Sequence, residues 1–109
     1  MVSDNVDNKA LESLVSQIVS AVHPLRITLF GSAARGAAGP ESDLDLLVVV
    51  PEGTHRRRTA QLLYRTIGGV GVPFDLIVAT PGDLEQHKDN VGLIYRVVLR
   101  EGRTLYEAA

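Results

Sequence analysis

Asp43 and Asp45 stand two residues apart at the head of one apolar run, DLDLLVVV, and Asp75 heads another, FDLIVA. Side chains at i and i+2 of a strand share a face, so the first two carboxylates lie about 7 Å apart along it, within reach of one cation. Clustered carboxylates repel one another, and each has its pKa raised unless a counter-charge arrives. A divalent cation removes that conflict, and an all-oxygen donor set with room for water suits Mg²⁺ or Mn²⁺. Magnesium is usually held by one or two carboxylates together with phosphate oxygens. Gly31-Ser32 offers the phosphate half of such a site. Gly31 lets the backbone come close, and the N–H groups of a helix opening there, with the Ser32 hydroxyl, can hold phosphate oxygens. Arg35, one turn on, adds a cationic contact. Ser42, next to Asp43, either caps the turn or touches the same phosphates. Two cations bound this way would clamp the attacking and leaving oxygens of an in-line phosphoryl displacement.

The elements that carry these residues can be read from periodicity. Residues 8–22 place Leu11, Leu14, Val15, Ile18, Val19 and Val22 at helical spacing, and His23-Pro24 ends that helix. Residues 25–30 and 43–50 read as strands, the second buried on both faces. Between them lie a short helix over 32–37, with Ser32 near its N-cap, and a turn over 38–42. Residues 55–67 read as a helix turning Ala60, Leu63, Tyr64 and Ile67 inward, and 74–79 as a third strand. Thr80, Pro81 and Asp83 approach a capping box for another short helix. Val91, Ile94, Tyr95, Val98 and Leu99 mark a last helix, closed by Gly102. RTLYE, at 103–107, reads as a short edge strand.

The short link between the first two strands favours an antiparallel pair. The helix between the second and third favours a parallel one. Parallel strands begin at the same sheet edge, so Asp75 comes up beside Asp43 and Asp45. The expected fold is α+β, a small mixed sheet of three or four strands with helices mainly on one face, in a single domain over residues 1–109.

Composition narrows the function classes. A net charge of −2 and a pI near 5.9 argue against a general polyanion binder, so nucleic acid is not the expected partner. With no cysteine, disulfides and thiolate metal sites are excluded, which suits a reducing cytoplasm. The N-terminal stretch carries Asp4 and Asp7 and no apolar core, so it does not read as a signal peptide. The apolar run from Leu46 to Val50 is too short to span a bilayer. The basic cluster His55-Arg56-Arg57-Arg58 opposes the dipole of the helix it opens, so it reads as a solvated surface. His23, His55 and His87 show no metal spacing.

Gly31-Ser32, ten residues, then Asp43-x-Asp45 resembles the signature of the DNA-polymerase-β-like nucleotidyltransferase superfamily. The longer stretch, FGSAARG…SDLDLLV, with Asp75 in FDLIV and the ending LREGRTLYE, is similar to the minimal nucleotidyltransferase (MNT) family. The resemblance implies a nucleotidyltransferase fold, and transfer of NMP from an NTP such as ATP with release of pyrophosphate. It implies that Gly31 and Ser32 hold phosphates and that Asp43, Asp45 and Asp75 bind two Mg²⁺ ions. Asp75 would also act as base on the acceptor hydroxyl. Ala33 departs from the pattern, since many relatives carry Arg there. Short chains of this family resemble antitoxins whose partner is a HEPN-type ribonuclease toxin. Some add AMP to a toxin tyrosine, and others only bind. The acceptor pocket would then be completed by a partner protein or in a homodimer. Two alternatives stay open: a binding-only antitoxin, and a nucleotidyltransferase acting on RNA or a small molecule.

Overall fold

The computed structural model describes residues 8–31, 43–87 and 101–108. The first helix, α1 (Asn8–Val22), buries Ala10, Leu11, Leu14 and Ile18 along one stripe, as a 3.6-residue apolar spacing requires. It closes where the His23 N–H donates to the Val19 carbonyl at 3.1 Å. His23 takes φ 48° there, ahead of a fully buried Pro24.

Three strands follow: β1 (Arg26–Phe30), β2 (Leu44–Val49) and β3 (Phe74–Ala79). The helix α2 (Arg56–Thr66) joins β2 to β3, and α3 (Pro81–His87) follows β3. A fourth strand, β4 (Arg103–Glu107), realises the edge strand read from RTLYE. The sheet runs β3-β2-β1-β4. β1 is antiparallel to both neighbours, whereas β2 and β3 are parallel, the arrangement expected of a helical crossover.

Both faces of the sheet are covered, unequally. Ile27, Leu29, Leu44, Leu46, Val48, Leu76 and Val78 pack with Leu14 and Ile18 of α1 and Leu63 of α2. The alternate residues Phe30, Leu47, Val49 and Ala79 meet Leu84 of α3 in a smaller cluster. Leu46 through Val50 are therefore buried without a break, as a two-sided strand demands. No helix among the described residues is long and apolar enough to cross a membrane.

Local chemistry fixes the helix starts. Thr80 and Asp83 form the capping box. The Asp83 N–H donates to Thr80 Oγ1 at 3.2 Å, and the Thr80 N–H donates to Asp83 Oδ2 at 2.9 Å. That backbone bond is the main reason the Asp83 carboxyl lies below the ordinary aspartate value, with the Thr80 hydroxyl and then Arg56 assisting against the cost of burial. A depressed carboxyl pKa contributes stability above the ordinary value and loses it as pH falls through the depressed one.

Two sequence readings need correction, those of Arg56 and Tyr64, and a third, His55, takes a definite structural role. Arg56 is not merely solvated, because it pairs with Asp83 at 2.9 Å. That joins the N-termini of α2 and α3, although so exposed a pair contributes little. His55 is the N-cap of α2, its Nδ1 accepting from the Arg58 N–H at 3.2 Å. Tyr64 does not turn into the core. It is 47% exposed, and Thr59 joins Leu63 as the buried side chain of α2. The helical phase read from apolar residues was drawn toward an aromatic ring that lies instead against β3. The helices read over 32–37 and 91–99, with Tyr95, lie outside the described residues.

Leu46 is fully buried on the central strand β2. Leu46→Ala is expected to cost about 2–5 kcal/mol of unfolding free energy, measured by urea denaturation. A loss under about 1 kcal/mol would show that this face of the sheet is not the core.

Candidate functional site

The parallel register sets Asp45 directly opposite Asp75. Neighbouring strands lie about 4.8 Å apart, so the two backbones hold their carboxylates one rung from each other. On its other side Asp45 faces Phe30, the last residue of β1. Strand alternation puts Asp43, Asp45 and Asp75 on the same face as Leu47 and Ile77, away from α1 and α2. They stand where β1 ends and the parallel pair begins.

Gly31 closes the arrangement. It takes φ +77°, and a Cβ built on it would lie 2.5 Å from Asp45 Oδ2. The Gly31 backbone therefore lies against the Asp45 carboxylate, and a side chain at position 31 would occupy that carboxylate's place. The spacing read from the sequence is thus realised as direct packing of the glycine on the second aspartate.

The electrostatics agree. The Asp45 carboxyl is pushed above its ordinary value, first by burial, then by the charges of Asp75 and of Asp43. Asp43 and Asp75 are exposed, while Asp45 is half-buried. Among the described residues no three acidic or imidazole side chains converge on a point that one ion could share. Uncompensated carboxylates favour separated rotamers, since like charges repel. In donor type and backbone placement the three carboxylates suit a hard divalent cation, which takes carboxylate and water oxygens.

Ser32, Arg35 and Ser42 lie outside the described residues. The arginines of α2 belong elsewhere: the helix begins beyond the far end of β2, so Arg56, Arg57 and Arg58 stand at the opposite end of the sheet from Asp45. An apolar groove between α1 and β4, lined in part by Leu11, Val15, Val19 and Tyr106, lies on the other face. Tyr64 is the neighbour that sequence reading missed. Its hydroxyl accepts from the Leu76 N–H at 2.7 Å, and its ring stacks on Phe74, centroids 5.8 Å apart and planes within 6°. The aromatic pair Tyr64 and Phe74, flanking the loop before FDLIV, was its only trace in the sequence.

The nucleotidyltransferase domain profile matches residues 9–103. No curated protein matches the chain. Among solved structures, a proposed nucleotidyltransferase from Sulfolobus solfataricus superposes with a TM-score of 0.59 at 24% identity, over 96% of this chain and 93% of that one. A toxin-antitoxin structure with AMP-PNP matches at TM-score 0.55 and 22% identity, over 89% of this chain and 73% of that one. A mutant of the toxin-antitoxin MntA-HpeT matches at TM-score 0.51 and 19% identity, over 94% and 74%. At these identities the structural likeness is one of fold.

Two outcomes test the geometry. Because the folded Asp45 pKa is raised, the folded state holds this proton to higher pH than the unfolded chain. Stability is then lost as pH rises from the ordinary aspartate value through the raised one. Asp45→Asn should therefore leave the metal-free protein as stable at neutral pH or more so, in thermal melts, and remove that part of the pH slope. A clearly lower melting temperature would make Asp45 a structural residue. Gly31→Ala should cost more than about 1 kcal/mol, because alanine is strained at positive φ and meets Asp45. In an Asp45→Ala background the penalty should shrink to the backbone part. Equal penalties in both backgrounds would show that the carboxylate does not occupy that space.

Proposed function

The chain belongs to the nucleotidyltransferase domain family, and on that premise we propose that it transfers a nucleoside monophosphate from an NTP to a hydroxyl acceptor. The observation that carries the reading is the Asp45–Asp75 rung with Gly31 packed on it. Such a rung places acidic oxygens beside Gly31, whose lack of a side chain lets a ligand approach its backbone closely. The side chains of Asp43, Asp45 and Asp75 would hold the divalent cation, Mg²⁺ or Mn²⁺, as one ion or two. That cation supplies the charge neutralisation that lets a polyphosphate sit against carboxylates.

The chain's own residues do the rest. Gly31, Ser32, Arg35 and Ser42 bind and orient the phosphates. Asp75 accepts the proton of the acceptor hydroxyl as its oxygen forms a bond to the α-phosphorus. The bond from that phosphorus to the bridging oxygen breaks, and pyrophosphate leaves. A positioned base of this kind contributes about 10²–10⁴-fold.

ATP is the proposed donor, and a tyrosine of a HEPN-type toxin the proposed acceptor, which gives the chain an antitoxin role. Two of the fold neighbours are toxin-antitoxin structures, one with AMP-PNP. These support the choice, while the acidic rung favours transfer over neutralisation by contact alone, since contact needs no clustered carboxylates.

Calorimetric titration of Mg²⁺-ATP should show binding to the wild type that Asp43→Asn/Asp45→Asn loses. At a hundredfold excess over Kd the wild type should gain about 2.7 kcal/mol of stability. Binding to neither protein at millimolar Mg²⁺-ATP would overturn transfer in favour of neutralisation by contact. With a purified HEPN-type toxin, label from the α-phosphate of ATP should appear on the toxin. Label on RNA instead would reassign the acceptor.

A further inference from the structure

We infer that Tyr64 is a positioning residue for Asp75, an inference that rests on the assignment of Asp75 as a metal-binding side chain above. β3 is the outer strand of the sheet. On one side Asp75 is held by the ladder to β2, and on the other no strand reaches it among the described residues. Tyr64 of α2 takes that place. Its ring stacks on Phe74, the residue before Asp75, and its hydroxyl accepts from the N–H of Leu76, the residue after. One side chain thus holds the backbone immediately before and immediately after the carboxylate.

Neither core burial nor the need to satisfy the Leu76 N–H requires this contact. Tyr64 is 47% exposed, and α2 is already anchored by the buried Leu63 and Thr59. The N–H of an edge strand can bond to water at little cost, so the hydroxyl is not needed to satisfy Leu76. What the tyrosine adds is fixity, because a donor bonded to a packed ring moves less than one bonded to solvent. The start of an edge strand is where a sheet opens most easily, and a displacement of about 1 Å at a reacting group is costly. Tyr64 contributes its effect through Asp75 and touches no reacting atom.

The test uses Mn²⁺ alone as probe, its affinity read from water-proton relaxation. The proteins are the wild type, Tyr64→Phe, Asp75→Asn and the double variant. Thr66→Val serves as control, since the Thr66 hydroxyl bonds back to the Leu62 carbonyl of its own helix. Tyr64→Phe keeps the stacked ring and removes the hydroxyl. It should weaken Mn²⁺ about threefold to tenfold, the range of one net hydrogen bond, and speed hydrogen exchange at the Leu76 amide. Thr66→Val should change neither. In the Asp75→Asn background Tyr64→Phe should cost nothing further, because residues acting through one group do not add. The inference is overturned if Tyr64→Phe binds Mn²⁺ like the wild type, or if its cost is the same with and without Asp75. If Asp75→Asn itself binds like the wild type, the assignment of Asp75 falls and takes this inference with it.

Discussion

Asp45 and Asp75 face each other across a parallel ladder, and two like charges one rung apart repel at any pH where both are ionised. Held there without a counter-charge, they oppose folding. The surrounding elements are arranged so that the repulsion cannot relax by moving the strands. Behind Asp45, β2 is buried on both faces from Leu46 to Val49, so a one-residue slip would turn apolar side chains to water. Asp45 stays half-buried and Asp75 exposed, which leaves the strain at the sheet's edge, open to a ligand.

The location differs from that of the doubly wound sheets. Those bind ligands beyond the carboxyl ends of parallel strands, where helices begin. Here the helices at the carboxyl ends of β2 and β3 are tied up with each other. Arg56 of α2 pairs with the capping Asp83 of α3, and Glu52 accepts from the N–H of Gly82. The candidate site lies at the opposite end, where the antiparallel β1 finishes. That single antiparallel strand delivers a glycine turn to the starting ends of the parallel pair. The polarity of β1 is thus what allows the Gly31 backbone and the acidic side chains to meet.

Much of this was legible in the sequence, for definable reasons. The two-residue period placed Asp43 and Asp45 on one face, and the helical crossover predicted that Asp75 would join them. Both are rules of local geometry. The capping box at Thr80 was legible because its partners are three residues apart. What escaped was contact between distant residues. Arg56 and Asp83 are 27 positions apart, and no pattern links them. Gln17, whose amide exchanges two hydrogen bonds with the backbone of Gly68, looks like any polar residue on a helix. His55 is an uncommon N-cap, so the preference for Ser, Thr, Asp and Asn did not point to it. Tyr64 was read as core because apolar periodicity does not distinguish a ring turned inward from one laid along a strand edge.

The sheet order also carries a temporal meaning. β1 is the first of the described strands, yet its outer edge is covered by β4, the last of them. The pairing from Arg26 to Glu107 spans most of the polypeptide. During synthesis from the N-terminus, β1, β2 and β3 all precede β4, so the outer edge of β1 has no strand partner until Arg103–Glu107 has emerged. Unpaired edges are templates for association with other chains. Between the emergence of Ala79 and that of Arg103, this edge of β1 is without the strand that covers it in the folded protein. Slow translation through residues 80–102 would lengthen that interval.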